Sequence, residues 1–132
     1  MRRVVALPFV ALAAGCGGHG SSLPYRTVDY SPSQARVAFT GVGVSLVRHE
    51  HRAPITDFST RDAALEVTVF GVPKAVEATG FEDLDRGPSC TKTNRLALRW
   101  HGNVRAIVNC DLVRDDPRWA RLVDRAFARL VV

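Results

Sequence analysis

The sequence predicts a single α+β domain: a small antiparallel sheet of about four strands, covered on one face by helices. Two segments carry apolar residues at helical spacing behind a helix-start signal, and the segments between them alternate apolar and polar residues as strands do. The elements follow one another in the order α-β-β-α-β-β-α. A chain of 132 residues has room for one hydrophobic core of this kind.

The first predicted helix begins at a capping box. Ser31 provides the cap, Pro32 occupies the first helical position, and Gln34 lies three places after the serine. Gly41 and Gly43 mark its end. The apolar face of this helix consists of Ala35, Ala38, Phe39 and Val42.

The middle of the chain predicts two strands, a long loop and a short helix. Val44 and Leu46 are at alternating positions and indicate the first strand. The polar range 48–62 is predicted to be a loop, and loops of that length often carry function. A half-buried strand is predicted over 65–69, and a short helix over 73–79 ends at the next glycine.

A hairpin is predicted near residue 100. A three-residue loop over 101–103 would place Trp100 opposite Val104 and every apolar side chain on one face, with Asn103 in the left-handed conformation. A two-residue loop would instead set Trp100 against Arg105. We therefore expect the three-residue loop. Its apolar face would consist of Leu96, Leu98, Trp100, Val104, Ala106 and Val108.

The last helix has the clearest pattern in the chain. Asp116 precedes Pro117 as a cap before a first-turn proline. Its apolar stripe consists of Trp119, Leu122, Val123, Ala126, Phe127 and Leu130. The opposite side carries Arg118, Arg121, Arg125 and Arg129. This arginine row is either a solvated face or a contact for anionic lipid headgroups.

The N-terminus has the parts of a secretion signal. Arg2 and Arg3 precede an apolar run over 4–14, which is shorter than the roughly 20 residues that span a bilayer. We expect a signal peptide over 1–15, a flexible Gly/Ser-containing tether over 16–29 and the single α+β domain over 30–132.

The residues from Leu12 to Cys16 resemble the lipobox of bacterial lipoproteins. The resemblance covers the first sixteen residues. It implies cleavage before Cys16, a diacylglyceryl group on its sulfur, and anchoring of the exported protein to the outer face of a bacterial membrane. Membrane lipid would then be a partner of the chain. The alternative is an ordinary signal peptide cut near Ala14, which leaves Cys16 a free thiol.

The three cysteines are an odd number, and Cys16 accounts for the extra one. In an oxidising compartment Cys90 and Cys110 are expected to form a disulfide. The expected hairpin register places Cys110 opposite Asn94. The alternative is a catalytic Cys90 activated by His101.

His49 and His51 are the most metal-like pair, because histidines two apart project to the same side of an extended segment. Asp57 or His101 would have to complete such a site, and a solvated loop is the alternative. The acidic cluster of Glu82, Asp83 and Asp85 lacks the spacing of a known calcium loop. It is expected to be solvated.

Charge and motifs favour a binding module over an enzyme. Removal of Arg2 and Arg3 lowers the formal charge from +5 to +3, which gives no reason to expect a nucleic-acid partner. The sequence shows no motif of a known catalytic or cofactor site. We expect a non-enzymatic envelope module that binds an unknown protein or ligand through 48–62. The alternative is a metal-binding protein or a small hydrolase that uses His49 and His51.

Overall fold

The computed structural model describes residues 29–49 and 52–131 of the chain. The helices are α1 (Pro32–Thr40), α2 (Pro73–Asp83) and α3 (Arg118–Ala128), and the strands are β1 (Val47–Arg48), β2 (Ile55–Ser59), β3 (Leu65–Phe70), β4 (Leu96–His101) and β5 (Val104–Asn109). The α+β class and the antiparallel sheet are confirmed, with five strands rather than four, in the order β1-β2-β3-β5-β4. None of the helices in this part of the chain has the length and apolar character needed to cross a membrane. The expected signal over 1–15 and the tether up to residue 28 lie outside the described residues.

The capping box predicted for α1 is present. The Ser31 hydroxyl accepts from the Gln34 backbone N–H at 3.2 Å, and the Gln34 side chain accepts from the Ser31 backbone N–H at 2.8 Å. The helix ends at Gly41, and Gly43 adopts φ +85°, a conformation that glycine takes without steric cost. The local signals in the sequence therefore determine both ends of this helix.

The sheet has helices on both faces. Helices α1 and α3 lie together on one face, over a core built from alternate strand positions such as Phe58, Val67 and Ala106, which the strand register places side by side. Helix α2 lies against the other face, where Val76 packs with Phe70. The expectation of helices on one face therefore holds for α1 and α3, while α2 covers the second face.

The prediction of a loop over 48–62 is wrong, because this range contains β2. Thr56 and Phe58 are both buried, at the two-residue spacing of a strand. The polar Asp57 between them accepts a hydrogen bond from Thr68 Oγ1 at 2.9 Å. With this cross-strand bond, a polar sequence that resembles a loop forms a strand inside the sheet, between β1 and β3.

Two other boundaries differ from prediction. Val44 and Leu46 are buried but lie in an irregular segment, and the first strand is the short β1 that follows them. Helix α2 continues through Gly80, which is buried, as far as Asp83. A glycine costs a helix only about 1 kcal/mol relative to alanine. The tertiary contacts of α2, including an ion pair from Asp83, outweigh this cost.

The β4–β5 hairpin has a two-residue turn, so the predicted three-residue loop is wrong. Trp100 pairs with Arg105 across the strands. Gly102 takes the positive φ of +55° at the first turn position, as in a type II′ turn, whereas Asn103 does not. The prediction assumed that all apolar side chains must share one face. Because α2 covers the second face, Leu98 is buried there instead.

Helix α3 has the predicted apolar stripe, but it begins one residue later than predicted, at Arg118, with Pro117 in the cap position. The Asp116 carboxylate accepts from the Arg118 backbone N–H at 2.9 Å. Of its apolar stripe, Val123, Ala126, Phe127 and Leu130 are buried, while Trp119 and Leu122 are partly buried against the core. The stripe is therefore part of the hydrophobic core.

Candidate functional site

His49 and His101, which was considered as a completing ligand for a metal site at His49 and His51, lie at opposite edges of the sheet. His49 follows β1 and His101 ends β4. Four strand spacings separate these edges, about 19 Å. His101 stacks between Tyr30 and Phe127, with ring centroids at 5.5 and 5.3 Å. A site built from His49 and His101 is therefore ruled out, and His51 lies outside the described residues.

His49 itself contacts a serine on the neighbouring strand. Its Nε2 is hydrogen-bonded to Ser59 Oγ, and its backbone N–H donates to the Asp57 carbonyl at 2.9 Å. The Asp57 carboxylate accepts from Thr68. His49 is exposed at the edge of the sheet. The arrangement has the contact of a nucleophile and a base, but the described residues show no carboxylate hydrogen-bonded to the histidine to orient it.

The disulfide between Cys90 and Cys110 is present, as predicted. The Cys110 backbone N–H donates to the Arg95 carbonyl at 2.9 Å, so Cys110 lies opposite Arg95 and not opposite Asn94 as expected. This one-residue difference follows from the shorter hairpin turn. Because its sulfur is bonded to Cys110, Cys90 has no thiolate, and the hypothesis of a catalytic Cys90 is wrong.

Among the described residues, the group that comes closest to a metal site contains the same cysteines. The two sulfurs and an Asp115 oxygen lie within 4.8 Å of one another. The sulfurs are joined in the disulfide, however, and Asp115 forms an ion pair with Arg95 at 3.1 Å. These groups therefore stabilise the strand ends and do not offer free ligands.

Replacement of Cys90 and Cys110 by alanine should lower the free energy of unfolding by roughly 3 kcal/mol, because the bridge closes a loop of about twenty residues in the unfolded chain. Urea denaturation of the purified chain would measure the loss. Ser89→Ala, beside the bridge, is the matched control and should change little. Equal midpoints for the double variant and the control would contradict a stabilising bridge.

A largely buried ion pair lies between the sheet and α2. Arg105 Nη1 donates to Asp83 Oδ2 at 3.2 Å, and the two side chains are only 16% and 9% exposed. Arg105 Nη2 also donates to Thr68 Oγ1 at 3.5 Å. The guanidinium lies over the rings of Phe70 and Trp100, at 5.4 and 5.9 Å from their centroids. Sequence reasoning missed this cluster, because the expected register placed Arg105 on a solvated face.

The acidic cluster does not act as a unit. Asp83 is directed towards Arg105, while Glu82 and Asp85 are exposed. The pairing neutralises the one carboxylate that is buried. The prediction that all three acidic side chains are solvated is therefore wrong for Asp83.

Hydrogen bonds from the Asn103 side chain hold the start of the described chain against the hairpin turn. It is fully buried, and its Oδ1 accepts from the backbone N–H groups of Asp29 and Tyr30 at 3.1 and 2.9 Å. Its Nδ2 donates to the carbonyls of Tyr30 and Phe70, both at 2.8 Å. Tyr30 Oη also donates to the Leu130 carbonyl at 3.4 Å. The chain therefore enters the domain beside the end of α3.

An open groove lies at this same end of the molecule, between α1 and the residues that end and follow α3. We call it the α1–α3 groove; it has a volume of about 730 Å³. Its lining includes Arg36, Val37, Gly41, Arg129, Leu130 and Val131. Val37 and Val131 are 68% and 72% exposed, more than any other large apolar side chain in the described ranges.

The arginines near the groove differ from Arg118 at the start of α3. Arg118 forms an ion pair with Asp116 at 2.6 Å, and its guanidinium holds the pKa of that carboxyl below its usual value. No described carboxylate forms an ion pair with Arg36, Arg125 or Arg129, and all three are exposed. The groove therefore combines exposed apolar side chains with cationic ones.

No protein-family model matches the chain, no curated protein is significantly similar to its sequence, and no solved structure is significantly similar to its fold. Its function therefore has to be inferred from its own residues. The features that bear on it are the disulfide, the buried attachment of Asp29 and Tyr30, and the α1–α3 groove.

Proposed function

We propose that this protein is an exported bacterial lipoprotein, in which 1–15 is the secretion signal and Cys16 carries the acyl chains. Residues 30–132 would then form a non-enzymatic binding module held at the outer face of the membrane. The observation that carries the proposal is the disulfide between Cys90 and Cys110. Disulfides persist in oxidising compartments outside the cytosol, and this one leaves Cys16 as the odd cysteine, directly after a short apolar run.

The polar side chains of the domain support binding rather than catalysis. His101 is stacked between aromatic rings, and Arg105 is paired with Asp83 inside the fold. The Cys90 sulfur is bonded to Cys110. Each of these groups is held in a contact that stabilises the fold. The partner of the module would be an envelope protein or a small ligand.

Cys16→Ser should release the protein from the membrane fraction of a bacterial cell, because serine cannot form the thioether that carries the lipid. Stable attachment needs two or more acyl chains, at about 0.8 kcal/mol per buried methylene. Intact mass of the wild-type protein should correspond to a chain that begins at Cys16 and carries added lipid. The released variant should carry none.

Ser21→Ala, in the same expected tether, is the matched control and should stay in the membrane. If Cys16→Ser remains membrane-bound as fully as the wild type, the anchor is not at this sulfur. A wild-type mass that begins near residue 15 and lacks lipid would favour an ordinary signal peptide. Mass with and without reductant reports the Cys90–Cys110 bridge separately.

A further inference from the structure

We propose that the α1–α3 groove is a membrane-contacting surface that binds the headgroups of anionic phospholipids. The cationic side chains of Arg36 and Arg129 would lie against phosphate, and Val37 and Val131 would enter the boundary between headgroups and acyl chains. The inference deepens the proposed function and rests on it for one element, the anchor at Cys16. The groove itself is formed by described residues alone.

The groove lies where the chain would arrive from the membrane. Tyr30 is held by Asn103 and by the carbonyl of Leu130, and Leu130 lines the groove. The thirteen residues over 16–28 can span at most about 45 Å, even when fully extended. An anchor at Cys16 therefore limits the distance of this end of the domain from the bilayer to about that length.

The charge around the groove matches an anionic surface. Helix α1 has one charged residue, Arg36, and Arg129, at the C-terminal cap of α3, also lines the groove. No carboxylate in the described ranges forms an ion pair with either arginine. The one acidic residue within α3, Asp124, is engaged by Arg99 at 2.6 Å. The charged side chains that line the groove are therefore both arginines.

The apolar part of the groove fits the interfacial region of a bilayer. Val37 and Val131 are the two most exposed large apolar side chains that the structure describes, and both line this groove. Arg129 lies across the end of α1, where a Cβ on Gly41 would come within 2.5 Å of its Nε. Apolar groups with cationic neighbours are the composition by which peripheral helices bind anionic lipid.

The same charges argue against a second copy of the chain as the occupant. Two such surfaces facing each other would bring Arg36 and Arg129 against like charges, which disfavours association. A bilayer also tolerates lysine in place of arginine, because its surface potential acts on charge rather than on the planar shape of the guanidinium. Substitution of arginine by lysine therefore distinguishes a membrane from a protein partner that binds arginine through two parallel hydrogen bonds.

The test uses the proposed mature chain, residues 16–132, with Cys16→Ser, so that neither acylation nor the apolar run over 4–14 contributes to binding. Sedimentation with vesicles of phosphatidylcholine that contain roughly one-third phosphatidylglycerol should show binding that falls with added salt. Arg36→Gln with Arg129→Gln should weaken it about thirtyfold, or about fivefold for each arginine. Arg36→Lys with Arg129→Lys should restore binding.

Arg61→Gln with Arg114→Gln is the matched control. Both arginines are exposed, and both follow strands at the end of the sheet opposite the β4–β5 turn. The length of β5, about 17 Å, separates that end of the sheet from the turn. That exceeds the screening length of about 10 Å at 0.1 M salt, so the loss should stay below about threefold. Thermal unfolding should be the same in both double variants.

Equal losses in the two glutamine pairs would overturn the proposal, as would equal binding to vesicles without phosphatidylglycerol. If the lysine double variant does not restore vesicle binding, the proposal is overturned in favour of a partner that recognises the guanidinium group. The proposed function can fail separately. Wild-type protein without lipid at Cys16, together with groove-dependent vesicle binding, would refute the anchor and leave this surface intact. Acylated wild-type protein, together with groove variants that bind vesicles normally, would support the anchor and refute this surface.

Discussion

Phe127→Asp is expected to unfold the domain. The Phe127 ring is only 6% exposed, packs edge-on against Phe39 at 6.1 Å between centroids and stacks on His101 at 5.3 Å. Loss of such a ring costs about 3–5 kcal/mol, and an unpaired buried carboxylate adds several more. A domain of this size has about 5–15 kcal/mol in total. Circular dichroism at rising urea concentration should show little or no cooperative transition.

Ala128→Asp places the same charge on the next residue of α3, which is exposed. It should cost less than about 1 kcal/mol, the size of an unfavourable charge near a helix C-terminus. The two variants separate core from surface on one helix. A folded Phe127→Asp domain with a normal transition would mean that the apolar stripe of α3 is a partner surface.

Asp83→Ala is expected to have the second largest effect, about 3–5 kcal/mol of destabilisation, because it leaves the Arg105 charge buried without its carboxylate. The Thr68 hydroxyl, at 3.5 Å, is a weak substitute. The Nε of Arg105 is already buried and has no acceptor among the described residues. Chemical denaturation of the wild type and of this variant would measure the difference.

The double variant with Arg105→Met separates the loss of the pair from the cost of a lone charge. Methionine has a similar length and no charge, so Asp83→Ala combined with it should be more stable than Asp83→Ala alone. Glu82→Ala, exposed on the same helix, is the matched control and should change stability within about 0.5 kcal/mol. Additive losses in the double variant would show that the two side chains are not coupled.

The surfaces available to a partner depend on how much of the sheet the protein itself covers. If the Phe127 stripe and the Asp83–Arg105 pair are both core, then both faces of the sheet are covered by the protein itself. The range 48–62, first considered as a binding loop, contains β2, which lies inside the sheet between β1 and β3. The exposed apolar surface at the α1–α3 groove is then the better candidate for contact.

Features that depend on near neighbours in the chain were predictable. The capping box of Ser31 and Gln34, the carboxylate of Asp116 at the start of α3 and the apolar stripes of both helices are found as expected. The pairing of Cys90 with Cys110 also followed from counting cysteines. Each of these rests on helical spacing, on a cap within three residues or on a chemical pairing rule, and none requires knowledge of the rest of the fold.

The errors arose where a residue's environment comes from a distant segment. The sequence around Asp57 is typical of a loop, but in the structure Thr68 donates a hydrogen bond to Asp57 within the sheet. Arg105 was expected on a solvated face, but it donates to Asp83 of α2. Asn103 was expected to be a turn residue in the left-handed conformation, yet its side chain holds the backbone of Asp29 and Tyr30. The pattern of residues within β2 or β5 does not predict these contacts.

The amino-acid order alone determined the class of fold, both ends of α1, the apolar stripe of α3, and the two cysteines that pair. Only the tertiary structure decided the hairpin register, the fifth strand and the separation of His49 from His101. The physical reason is the helix on the second face of the sheet: once α2 buries that face, Trp100 and Leu98 no longer need to share a side with Val104. With a two-residue turn, apolar side chains of the hairpin are buried on both faces of the sheet.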